Sequence, residues 1–167
     1  CISLHEDEEG FLYPKVNVET CIDCGLCEKV CPFHNQSESH EPLKVFAAIN
    51  PNEGIRMRSS SGGIFSLLAE TFLDKGGVVF GARFDKNWEV VHDYTETKEG
   101  LAVFRGSKYV QSRIGDTFKQ AEQFLRQGRL VLYSGTPCQI AGLKKFLRKE
   151  YDNLLVVECV CHSVPSP

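Results

Sequence analysis

Cys21, Cys24 and Cys27 follow one another at intervals of three residues, and Cys31, with Pro32 behind it, stands four further on. No other feature constrains this chain as tightly. Thiolates packed this closely serve an inorganic centre, and the C-x2-C-x2-C-x3-C-P order is the spacing that holds a 4Fe-4S cluster. A short irregular turn aims Cys21, Cys24 and Cys27 at three corners of one cubane. Gly25 is expected to let the backbone approach the cluster, where its amide donates to a sulfide. Zinc favours two separated CxxC pairs over a packed triple, and disulfides leave Pro32 unexplained. The run therefore points to electron transfer.

In two-cluster ferredoxin-type modules the fourth cysteine of each run ligates the other cluster, so Cys31 is expected to serve a cluster whose own triple lies upstream. The chain begins at Cys1, without methionine, and ends in Ser163, Val164, Pro165, Ser166 and Pro167 directly after an apolar stretch. It reads as a piece of a longer protein, cut at both ends. Its 167 residues suit one full domain and a small module. A formal net charge of −3, with acids gathered at Glu6, Asp7, Glu8 and Glu9, lacks the basic excess that would suggest nucleic acid as the main partner, and none is expected. The bases Lys144, Lys145, Arg148 and Lys149 read as a solvated helix face. No apolar run reaches the length of a membrane span and no signal peptide is visible. Eight cysteines around a ferredoxin-type run call for a reducing compartment, and the expected location is cytoplasmic.

The expected fold class is α/β, with α+β as the variant. It comprises a partial ferredoxin-like module (1–34), a linker (35–42) and an α/β domain (43–167) with a mixed, partly parallel sheet. Residues 2–19 alternate apolar and polar side chains around Glu8, Glu9 and Gly10, the pattern of a β-hairpin. Residues 43–49 read as the first strand of the second domain, closed by a turn at 50–54. Helical spacing follows over 63–75, then a strand over 78–84 with a partner over 89–94, and a helix over 114–126 ended by Gly128. A buried strand (130–133), a helix (139–148) and another buried strand (154–160) complete a βαβ unit, expected to be parallel and right-handed.

Three loops carry the remaining chemistry. Ser59, Ser60, Ser61, Gly62 and Gly63 precede a helix, and hydroxyls, amides and glycines at a helix N-terminus suit a phosphate or pyrophosphate. A serine N-cap is the simpler alternative. Ser134, Gly135, Thr136, Pro137, Cys138 and Gln139 make a second strand-to-helix turn at a carboxyl sheet edge, where ligands collect. Pro137 suits the first helical position, and Cys138 is a candidate nucleophile, redox thiol or metal ligand, or a small packed cysteine. Cys159, Cys161 and His162 lie at the end of the next strand, with Cys159 and Cys161 on one face. Arg105, Gly106, Ser107, Lys108 and Tyr109 offer two cations and a ring, or merely a solvated turn.

Together these segments resemble the family of coenzyme F-420 hydrogenase and dehydrogenase beta subunits. The resemblance rests on the cysteine run, on residues 60–64 and 106–109, on 136–142, and on 161–165. It implies a flavoprotein in which FAD and 4Fe-4S clusters exchange electrons with a deazaflavin or another soluble redox cofactor, beside a redox partner protein or subunit. On that resemblance Ser60, Ser61, Gly62, Gly63, Ser107, Lys108, Tyr109 and Thr136 would line the FAD site, and 43–167 would be the N-terminal part of an FAD-binding domain. Cys138 and Cys161 would be two ligands of a flavin-proximal cluster completed by a downstream CxxC, with Cys159 as the alternative to Cys161. Catalytic residues stay unassigned. The competing readings are a ferredoxin-type carrier with a flavin-free docking domain, and a zinc-binding interaction domain.

Overall fold

The computed structural model describes residues 1–35 and 41–165, and most of the linker expected over 35–42 lies outside them. The N-terminal residues form a two-stranded antiparallel hairpin, β1 (Ile2–Glu6) and β2 (Leu12–Val16), followed by a short helix α1 (Leu26–Val30). The turn closes because the Asp7 carboxylate accepts from the amides of Glu9 and Phe11 while Gly10 adopts a positive φ of 86°. The register, Ile2 opposite Val16 and Leu4 opposite Pro14, gathers Ile2, Leu4, Leu12, Pro14 and Val16 on one face. Every residue of both strands is exposed.

The larger part of the chain is a four-stranded sheet of order β4-β3-β5-β6. Its strands are β3 (Val78–Phe84), β4 (Val90–Thr95), β5 (Val131–Gly135) and β6 (Leu154–Glu158). β3 pairs antiparallel with β4 and parallel with β5, and β5 runs parallel to β6. The sheet is thus mixed and partly parallel, as the α/β pattern required. Val78, Val79 and Phe80 form an unbroken apolar run because β3 is covered on both faces. One face packs Val78, Phe80, Val131 and Tyr133 against α4 (Thr117–Arg126) and α5 (Pro137–Leu147), through Ala121, Leu125, Ile140, Leu143 and Leu147. The other packs Val79 and Leu132 against Ala69 and Leu73 of α3 (Ile64–Leu73) and against Leu101 and Phe104 of the 3-10 segment Glu99–Phe104. Left-handed glycines stop the helices where expected, Gly76 (φ 73°) after α3 and Gly128 (φ 77°) after α4.

Two strand expectations are corrected. Residues 43–49 form no strand: Leu43, Val45, Phe46 and Ile49 are all exposed. Their apolar character suggested a strand, but the sheet edge at β4 is already occupied by Arg113, whose amide donates to Val90 and whose carbonyl accepts from His92. The turn expected at 50–54 is instead the start of helix α2 (Glu53–Met57), capped by the Asn52 side chain on the Ile55 amide. β6 ends at Glu158 rather than at 160, and as an edge strand it is half-buried or exposed along its length.

Candidate functional site

The cysteine run wraps the entrance to α1. Asp23 (φ 51°) and Gly25 (φ 66°) both take left-handed backbone, so the chain reverses on either side of Cys24. Gly25 caps α1, which carries Cys27, and Cys31 follows its end. Asn35 fastens that end by donating its side-chain amide to the carbonyls of Glu28 (2.6 Å) and Cys31 (3.2 Å). All four thiols are free, Cys21 and Cys31 half-buried, Cys24 and Cys27 exposed. Nothing lies within 4 Å of the position a Gly25 side chain would take, so the glycine serves the turn and leaves open space there. Four free cysteine sulfurs on one turn and helix, beside open space, fit a 4Fe-4S cluster chemically. Among the described residues, no three Cys, His, Asp or Glu side chains converge into a closed metal cage. The thiols are near one another in sequence rather than already gathered. α1 also lies against α5, the helix that begins beside Cys138.

The serine–glycine loop and the 105–109 loop meet. The Ser107 amide donates to Ser60 Oγ at 2.6 Å, and Arg105 Nε donates to Ser66 Oγ of α3 at 3.0 Å. Gly63, in the left-handed region at φ 73°, is the N-cap of α3, and no side chain accepts from the first-turn amides. A serine cap is therefore not what this loop is for. The glycines have a packing reason of their own. A side chain on Gly62 would sit 2.8 Å from the Ala48 carbonyl, and one on Gly63 would press on Asn50 and Ser59. Asn50, 2% exposed, ties the preceding segment in place: its side chain donates to the Gly63 carbonyl and its amide to that of Gly62. Lys108 folds back, donating to the carbonyls of Val103 (3.2 Å) and Arg105 (3.0 Å), and burial lowers its pKa. Tyr109 is exposed, and Ser61 likewise.

Thr136 is the N-cap of α5 and Pro137 its first residue, as the sequence required. Cys138 is exposed, with Thr136 Oγ1 3.1 Å from its sulfur. Beneath this turn lies a cluster that the sequence did not announce. His92 of β4 places Nε2 3.0 Å from the Ser134 carbonyl and Nδ1 2.9 Å from Ser112 Oγ. Gln139 donates to that same hydroxyl (2.7 Å) and accepts from the Thr136 amide (3.0 Å). Residues 92, 112 and 139 share no motif; the one available signal was a histidine inside an apolar strand. Cys159 follows β6, its amide donating to the Gly135 carbonyl at 2.9 Å, and burial raises its thiol pKa. Cys161 lies beyond the strand and is exposed. Cys138 and Cys161 thus leave the same carboxyl edge of neighbouring strands β5 and β6.

Residues 14–35 match the 4Fe-4S binding domain. Over 158 residues, 93% of this chain, the sequence is 23% identical to a subunit of the F(420)H(2) dehydrogenase of Methanosarcina mazei. The chain spans 42% of that relative's length. A chain in the xenon-derivatised structure of the F-420-reducing NiFe hydrogenase complex of Methanosarcina barkeri shares 24% identity at a TM-score of 0.48. That superposition covers 58% of this chain and 34% of the other, too loosely to carry an argument. The domain match and the curated relative support the family to which the motifs pointed, the coenzyme F-420 hydrogenases and dehydrogenases.

Proposed function

We propose that this chain is part of an iron–sulfur flavoprotein subunit that passes electrons between 4Fe-4S clusters and FAD, and on to a deazaflavin-like or other soluble redox partner. The observation that carries the reading is the 4Fe-4S domain match over the Cys21, Cys24, Cys27 and Cys31 run, within a similarity that spans nearly the whole chain. Cys21, Cys24 and Cys27 would hold one cluster. Cys31 would reach towards a second, and Cys138 with Cys161 would contribute to a third beside the flavin.

Bound FAD would supply the step between paired and single electrons, and the protein's part is to bind and orient it. The uncapped first turn of α3 supports a pyrophosphate there, because free amides at a positive helix end favour an anion. Ser60 accepts from the Ser107 amide, which leaves its own proton for a ligand oxygen, and Ser61 stands exposed beside it. Gly62 and Gly63 shape this loop. Lys108, held by two backbone carbonyls, adds positive charge at a fixed place, and the exposed Tyr109 ring is free to stack. Thr136, the N-cap of α5, would complete the site. No helix among the described residues is long and apolar enough to cross a membrane.

Anaerobic reconstitution of the full-length protein, followed by iron, sulfide and flavin assay, tests the proposal. All three components are expected. Iron and sulfide without flavin would favour the ferredoxin-type carrier with a docking domain, and stoichiometric zinc without a visible band the interaction domain.

A further inference from the structure

The buried imidazole of His92 has no part in the roles above, yet both its ring nitrogens are committed. It lies opposite Ala82 on β3, stacks on Tyr133 with centroids 5.5 Å apart, and is 6% exposed. A carbonyl oxygen only accepts, so the Nε2 facing Ser134 carries the proton. Burial lowers the pKa, so the ring is neutral at pH 7 and Nδ1 must accept from the Ser112 hydroxyl. The Ser112 oxygen then accepts from Gln139 Nε2, whose partner oxygen accepts from the Thr136 amide. Every proton in the series points the same way, from Thr136 through Gln139, Ser112 and His92 to Ser134, an arrangement in which each bond strengthens the next. The ring closes around Gly135. A side chain there would press on Gln139 at 3.1 Å from its Oε1 and touch His92 Nε2 at 3.6 Å, so glycine leaves the ring its room.

We propose that His92 is a positioning residue: a neutral, Nε2-protonated imidazole that locks the 134–136 turn and so fixes where the Cys138 thiol stands relative to the 159–161 tail. Thr136 touches the Cys138 sulfur, and the enclosed Gly135 holds the Cys159 amide, so both cysteine segments hang on the braced turn. The geometric claim stands on the hydrogen bonds. Its redox meaning rests on the proposal that Cys138 is a cluster ligand.

Hydrogen exchange by mass spectrometry on the full-length protein separates the two. His92→Phe keeps a ring against Tyr133 and removes both hydrogen bonds, while Ser112→Ala, at a half-buried site, breaks the series without touching the core. Each is expected to speed exchange across 134–139 roughly five- to tenfold, the worth of one such bond, and to leave 78–80 unchanged. The double variant should do no more than either single one, because both break one chain. Histidine nitrogen NMR should find the neutral Nε2-protonated form in the parent. Unchanged exchange at 134–139, an equal rise at 78–80, an additive double variant or an Nδ1-protonated ring would each overturn the claim. If Cys138→Ser leaves iron content unaltered, the ligand reading fails, and the exchange result still decides the positioning role.

Discussion

Not one residue from 1 to 35 is buried, whereas Val78, Val79, Phe80, Val131, Leu132 and Tyr133 are fully enclosed in the four-stranded sheet. The sheet is held by apolar surface removed from water on both faces. Beyond the contact of α1 with α5, the hairpin and cysteine run have local devices: the Asp7 and Asn17 side chains accepting from turn amides, and Asn35 fastening the end of α1. A lone two-stranded hairpin is marginal in water. Coordination would add to these, since bonds from thiolates to a metal centre are folding free energy for a segment without a core. The comparison teaches that loss of a side chain and loss of a cofactor should strike different halves of this molecule.

The largest stability effect is expected in the sheet. Phe80→Ala removes a ring packed against Tyr94, Tyr133 and Phe124 and should cost about 3–5 kcal/mol in denaturant unfolding. A cost below about 1 kcal/mol would mean that this core does not hold the region. Next comes the serine–glycine loop. Ser60→Ala removes the acceptor that joins the two loops and should weaken flavin binding roughly tenfold by equilibrium dialysis, with the melting temperature little changed. Gly62→Asp is a poorer probe, because a side chain there collides with the Ala48 carbonyl whatever is bound.

The third prediction concerns acid. Burial holds the folded pKa of His92 below its ordinary 6.5, so the unfolded chain binds the proton more readily. Stability is therefore undiminished by this residue above about pH 6.5 and falls as the pH drops from there towards the folded pKa, below which the loss levels off. His92→Phe should flatten that part of the pH profile, and an unchanged profile would remove His92 as its source. The smallest effect returns to the hairpin: Leu4→Ala, at an exposed position, should shift unfolding by at most about 0.5 kcal/mol.

The legible parts of the sequence were those where cause is local. The cysteine spacing, the apolar runs of β3 and β5, the glycines that stop α3 and α4, and Pro137 at the start of α5 all act within a few residues. Residues 43–49 misled because apolar composition says nothing about whether a sheet edge is free, and Arg113 already occupies the one beside β4. β6 read as buried because its sequence is apolar, but among the described residues it is the last strand of the sheet. The Ser112 partner of His92, and the Gln139 that bonds Ser112 in turn, were invisible because hydrogen bonds across 20 and 27 residues follow from topology, not from spacing. Ser60 and Ser107 were each singled out, but their contact across 47 residues required the fold.

The central claim is that the cysteine run holds a 4Fe-4S cluster, and iron with sulfide analysis of the reconstituted full-length protein against its Cys21→Ser variant tests it most directly. The account predicts that the variant loses about four iron and about four sulfide per chain. By the same account, the unfolding of the sheet region stays within about 0.5 kcal/mol of the parent. Iron and sulfide equal to the parent's in a folded Cys21→Ser variant would contradict it.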